Sequence, residues 1–264
     1  MKTIVTLILS IFCLVASAQV DPALAKDYFE KGAFEKAASL YKKLLSNQRT
    51  NSYYSLNLIE CHQQLSQFRD AQKEIEVQLK QSNNPQYFVE LGYNYQLQNK
   101  LTQAKSNYNK AIQSIEIQPN YVYAVAQRFE THTLIDNAIQ AYELGLEFAP
   151  NPAFYYQLAV LHGVQQNIEK MMAYYLDYVE TSPAYINQVQ RLLTEYISED
   201  GSQPYNQLFK NVLLKKLQSK PNTLWNQWLS WLYVQQKEFK KAFIQEKAIF
   251  RRSPESLQGL INLA

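Results

Sequence analysis

Residues 154–183, FYYQLAVLHGVQQNIEKMMAYYLDYVETSP, decide how this chain is read. Two segments of helical apolar period flank a polar break at Gln165, Gln166 and Asn167, and Pro183 closes the stretch. Such a break between two periodic runs predicts a hairpin of two helices, and a proline directly after the second run cannot continue it. The same layout recurs at residues 121–150 and again on both sides.

The recurrence has a fixed period. A small residue followed four positions later by an aromatic or large apolar one occurs at Ala37/Tyr41, Ala71/Ile75, Ala104/Tyr108, Ala138/Tyr142 and Met171/Tyr175. The first members lie 34, 33, 34 and 33 residues apart. Positions i and i+4 share a helix face, so the small residue admits a neighbouring helix and the large one fills the next groove. The helix upstream carries Ala25, Ile59, Gly92, Ala126 or Ala159, with Tyr28, His62, Tyr95, Phe129 or His162 three positions on. Pro119, Pro150, Pro183, Pro221 and Pro254 follow the second helices. One hairpin cannot bury its own apolar face, so the units must stack into a shared core.

The sixth unit breaks the rhythm. Residues 185–197 read as its first helix, residues 199–204 as a long loop and residues 205–217 as its second helix. Phe209 stands 38 residues after Met171, and the phase resumes at Ala242, 33 further on. In the fifth unit Met171 replaces a smaller residue, which predicts a looser hairpin there.

This pattern resembles the tetratricopeptide repeat, W-x2-L-G-x2-Y followed by A-x3-F and a proline with a period of about 34 residues. Leu91, Gly92 and Tyr95 with Ala104 and Tyr108 fit it, as do Ala138, Tyr142 and Pro150. Most units lack the first-helix tryptophan. The resemblance implies an all-α, right-handed superhelical solenoid of antiparallel helix pairs, with about seven repeats. The expected organisation is a leader at 1–18, regular repeats at 19–183, an irregular repeat at 184–221, and a further repeat with the start of another helix at 222–264. Residues 255–264, ESLQGLINLA, read as an opening first helix, which predicts that the chain continues.

The N-terminus reads as a secretory signal. Lys2 precedes an apolar run at 4–15, and Ala16-Ser17-Ala18 fits small-x-small cleavage. Cys13 is preceded by Phe12 and the apolar run continues past it, so cleavage rather than lipidation is expected. The protein is therefore expected to be exported, to the periplasm or outer envelope of a bacterium. Cleavage leaves Cys61 as the sole cysteine, which rules out an intramolecular disulfide.

Charge is unevenly spread. Residues 19–200 carry 15 Lys/Arg against 20 Asp/Glu, whereas residues 201–254 carry ten against two. That basic segment would suit an acidic partner or anionic lipid head groups, or would simply be the solvated face of its helices.

Catalytic and metal signatures are missing from the sequence: there is no G-x-S-x-G, P-loop, H-E-x-x-H or C-x-x-C. His62, His132 and His162 stand apart and read as core or edge residues. Cys61 has no base placed beside it, and Trp225, Trp228 and Trp231 read as a packed first helix, with one ring partly exposed as the stripe drifts. No enzyme activity and no cofactor are expected.

The resemblance implies that first helices line an inner groove. The candidate groove residues are Tyr53, Glu60, Val89, Tyr93, Gln96, Tyr123, Gln127, Glu130, Tyr156 and Val160. Tyrosines beside amides suit a peptide, because they combine rigid area with hydrogen bonding. Family members that clamp a chaperone's C-terminal carboxylate use Lys and Asn in the groove; here Pro22, Leu56 and Asn57 stand near those places, and such binding is not expected. The expected role is a non-catalytic scaffold that binds a protein or peptide partner. The alternative is the exported sensor region of a longer signalling protein, with membrane and output domains after residue 264. Nucleic acid is not an expected partner, and membrane association is expected only through a partner or a later segment.

Overall fold

The computed structural model describes residues 21–252 together with Pro254 and Ile261. The expected leader at 1–18, with Cys13, lies outside the described residues, as does 255–264 apart from Ile261. Among the described residues there are fourteen α-helices and no strand, and no helix is long and apolar enough to cross a membrane. They fall into two compact units, one ending at His132 and one beginning at Thr133.

The first unit holds α1 (Pro22–Glu30), α2 (Phe34–Asn47), α3 (Ser52–Gln64), α4 (Phe68–Ser82), α5 (Gln86–Gln96), α6 (Leu101–Ile117) and α7 (Val122–Thr131). The second holds α8 (Ile135–Phe148), α9 (Pro152–Val164), α10 (Ile168–Thr181), α11 (Ile186–Thr194), α12 (Pro204–Ser219), α13 (Thr223–Gln235) and α14 (Phe239–Arg252). Within the units, α1, α3, α5, α9, α11 and α13 are the first members of helix pairs. Within each unit the architecture is all-α, built of stacked helix pairs. Pro119, Pro150, Pro183, Pro221 and Pro254 each sit two residues beyond the last helical residue of the helix before them, and Pro85 sits three beyond α4.

The hairpin turns repeat a single conformation. Gly32, Ser66, Asn99, Thr133, Gln166 and Lys237 all have left-handed backbones, with φ between 54° and 72°. Where the turn closes a described hairpin, the next amide donates to the carbonyl five residues back, as Gln67 does to His62, Lys100 to Tyr95 and Asn167 to His162. These bonds satisfy carbonyls that the first helix leaves open at its end. Asparagine and aspartate caps start several helices: Asp21, Asn51, Asn151 and Asn222 each accept an amide of the first turn.

The sixth pair, α11 and α12, lacks this turn. Its loop is organised instead by Asn206, fully buried, which donates to the carbonyls of Ser198 and Asp200 and accepts the Ser198 amide. One side chain thus supplies the polar partners that a short turn would have provided.

The periodic small residues all lie in the core. Ala37, Ala71, Ala104, Ala138, Met171, Phe209 and Ala242 are buried, and so are Tyr41, Ile75, Tyr108, Tyr142 and Tyr175. Contact is tightest at Gly92, where an added Cβ would stand 2.3 Å from Cε1 of Tyr108. Room for Met171 comes from the facing helix, because a Cβ on Gly163 would lie 3.1 Å from the Met171 sulfur. The fifth hairpin therefore carries its small residue on α9 rather than on α10.

The second unit also accounts for the basic segment. Lys215, Lys216 and Lys220, on and just after α12, pair with Glu169, Asp177 and Glu180 of α10. Lys237 pairs with Glu199 and Lys241 with Glu238. Half of the ten cations counted in sequence thus meet carboxylates, four of them from residues before 200. Trp225 and Trp228 are buried, and Trp231 is partly buried against Phe209 and Trp228.

Two substitutions test this packing by urea denaturation. Gly92→Ala is expected to lose about 1–3 kcal/mol of stability by overpacking, despite a helix-propensity gain of about 1 kcal/mol. The ring of Tyr108 cannot swing away freely, because it packs edge-on against Phe129 at 5.6 Å and its hydroxyl donates to Gln96 at 2.9 Å. Gln166→Gly relieves a left-handed side chain and is expected to gain about 0.5–1 kcal/mol.

Candidate functional site

In the first unit, α3, α5 and α7 enclose a groove of about 680 Å³. Tyr53 and Leu56 of α3 form one wall, Gln86 of α5 lies at the base, and Tyr123, Gln127 and Arg128 of α7 form the other wall. Helix geometry selects these residues: on α3, Tyr53, Leu56 and Glu60 follow 3- and 4-residue steps, and on α5 so do Gln86, Glu90 and Tyr93. Tyr53 is about half exposed at 47%, and Tyr123 is similar at 44%. The ring of Tyr53 is set by edge contacts with Tyr41 at 6.2 Å and Tyr54 at 5.8 Å.

Beside this groove lies a buried charged cluster that the sequence reading did not contain. Glu90 is fully buried, and its Oε1 accepts from Arg128 Nε at 2.6 Å. His132 Nε2 lies 3.0 Å from the same oxygen, and its ring stacks on Tyr93 with centroids 3.8 Å apart. Burial alone would raise the Glu90 carboxyl; the charges and hydrogen bonds of Arg128 and His132 outweigh it and hold the group down at about 2. The second oxygen of Glu90 has no hydrogen-bond partner among the described residues. Glu60 behaves oppositely: burial, with repulsion from Glu90, raises its carboxyl against the opposing pull of Arg128 and His132.

The structure brings some candidates together and separates others. Tyr53, Tyr123, Gln127 and Glu130 line the groove, and Glu60 and Tyr93 lie on the same helix faces. Gln96 sits at the end of α5, accepting the Tyr108 hydroxyl. Val89 is a correction: it is fully buried, because the helices packed on α5 cover it. Tyr156 and Val160 belong to the second unit, where Tyr156 packs against Tyr175 and Tyr178. The missed residues had one sequence signal, a lone charge inside an apolar first helix, as in QYFVELGY around Glu90.

Other reactive groups are muted. Burial pushes the Cys61 thiol up to about 12, so it stays protonated at neutral pH and is no nucleophile. His162 is buried and stacked on Tyr174, with neither ring nitrogen bonded among the described residues, and burial holds its pKa below the ordinary value. His62 is half-buried and bonds through Nδ1 to Gln67 at the turn.

A family model for the tetratricopeptide repeat matches residues 85–120. That segment holds α5 and α6. Such repeats generally mediate contacts between proteins. No curated protein sequence matches the chain significantly. Among solved structures, the C-terminal part of a TPR repeat-containing protein from Cytophaga hutchinsonii is 17% identical, covering 92% of this chain and 99% of its own, with a TM-score of 0.35. PilF of Pseudomonas aeruginosa is 14% identical over 83% of this chain and 94% of its own, with a TM-score of 0.35. MamA is 18% identical over 62% and 90%, with a TM-score of 0.32. Likeness at this level carries no argument about arrangement or partners.

The charged cluster makes a stability prediction. Arg128→Met leaves Glu90 buried without its cation and is expected to cost about 3–5 kcal/mol, whereas adding Glu90→Gln should recover most of the loss. Urea denaturation of the single and double variants measures both. The low folded value of Glu90 gives its sign with pH: its contribution is complete above the ordinary carboxylate value and is lost as pH falls through about 2.

Proposed function

We propose that the chain is a non-catalytic interaction scaffold of a bacterial periplasm or outer envelope, and that the first-unit groove holds a peptide or helix of a partner. The observation that carries this reading is the groove itself. Tyr53 and Tyr123 expose aromatic surface from opposite walls, Gln127 adds an exposed amide on the wall of Tyr123, and the buried Gln86 lines the groove. Rigid aromatic area beside hydrogen-bonding amides is what a peptide surface engages at low entropic cost. The tetratricopeptide-repeat match at 85–120 supports a protein partner. The export reading rests on Lys2, the apolar run at 4–15 and the Ala16–Ser17–Ala18 pattern.

Affinity capture with the mature chain, compared with a Tyr53→Ala/Tyr123→Ala variant, tests the groove. Both rings are about half exposed, so the variant is expected to stay folded by circular dichroism with a somewhat lower melting temperature, and to lose the partner by at least about tenfold, in line with truncation of interface aromatics. Unchanged recovery removes the groove reading. Cell fractionation tests the location, with recovery in the periplasmic or envelope fraction expected.

A further inference from the structure

We propose that His162 makes the α9–α10 hairpin of the second unit acid-sensitive: a proton taken up by its buried ring loosens that hairpin. The device lies within the second unit and does not depend on the groove of the first.

His62 and His162 hold the same place in their hairpins. In each, the amide five residues on donates to the histidine carbonyl at 2.8 Å, from Gln67 to His62 and from Asn167 to His162. The side chains then diverge. Gln67 reaches back, and its Oε1 lies 2.7 Å from His62 Nδ1. Asn167 is one methylene shorter, and its Oδ1 instead accepts the Lys170 amide at 3.3 Å and caps α10. His162, only 3% exposed, is left with no hydrogen bond at either ring nitrogen among the described residues.

The surroundings tolerate a neutral ring better than a charged one. Helix α9 carries no Asp, Glu, Lys or Arg, and it packs chiefly against α8 and α10. From α10 come Tyr174, whose ring stacks on the imidazole with centroids 5.3 Å apart, and Lys170, which repels a positive charge there. From α8 comes Glu143, which attracts one, but its carboxylate accepts the Tyr174 hydroxyl at 3.2 Å. Asp136, also of α8, is engaged by Gln165 at the turn. A charged imidazole would bring two N–H donors into this site with no acceptor in contact, and the face of Tyr174 offsets only part of that desolvation. Burial, and after it Lys170, hold the ring below its ordinary value against the pull of Glu143. The hairpin therefore has its full stability above the ordinary value of 6.5 and loses it as pH falls from there through the lowered folded value.

Hydrogen exchange of the α9 and α10 amides in the mature chain, between about pH 8 and about pH 5 and corrected for intrinsic chemical rates, tests the inference. Opening of the hairpin is expected to rise with acid, by at most about tenfold per pH unit because one proton is involved. The His162 ring, followed by NMR, is expected to titrate below 6.5. His162→Phe keeps an aromatic ring against Tyr174 without a titratable group, and is expected to abolish the acid-driven opening. Asn167→Gln supplies the reach that Gln67 has, and is expected to move the His162 titration upward and shrink the acid effect. Acid-driven opening that persists in His162→Phe, or a His162 that titrates at or above 6.5 in the unaltered chain, overturns the inference. Should His162→Phe fail to fold, a His162 titration left unmoved by Asn167→Gln overturns it.

Discussion

The contact of Tyr108 with Gly92 sets how closely α5 and α6 lie, and through that spacing it fixes where the groove residues of α5 stand. With no side chain at Gly92, the tyrosine ring rests against the helix backbone and its hydroxyl reaches Gln96. The same ring meets Phe129 of α7, so one aromatic links a hairpin to the next first helix. Close packing leaves such a contact little freedom, because added volume must displace neighbours that are themselves fixed. The fifth hairpin meets the same constraint in another way, trading Ala for Met171 on one helix and placing Gly163 opposite.

The turns impose the second constraint. A left-handed residue at each described turn position, 34, 33, 34 and 33 residues apart from Gly32 to Gln166, makes the end of each first helix identical in form. Only Gly32 has the residue type that suits that conformation best, so the other turns carry strain held by the packing on either side. Where the turn is absent, between α11 and α12, a buried asparagine does the capping.

Electrostatics divides the two units by kind. In the first, a fully buried glutamate and one arginine face each other beneath a histidine stacked on Tyr93. Such a pair is a weak source of stability and a strong penalty if broken, so its effect is to fix the rotamers of groove-side residues on α5 and α7. In the second, the pairs are mostly exposed and contribute little; three of them set lysines on and just after α12 against acids of α10.

The sequence by itself determined the helix pairs, their period, the terminating prolines and the small-residue positions. These are local or nearest-neighbour properties, written as spacing along one helix or between adjacent ones. It also pointed to Tyr53, Tyr123 and Gln127 as groove residues, since helix phase alone tells which side a residue faces. It placed Val89 in the groove, whereas Val89 is fully buried, because helix phase read from sequence does not say how deeply a neighbouring helix covers a position. Tertiary structure decided what meets across elements: Glu90 with Arg128 and His132, 38 and 42 residues away, and the lysines of α12 with the acids of α10. Composition records that such charges exist, but only the packing of separate helices says which of them meet.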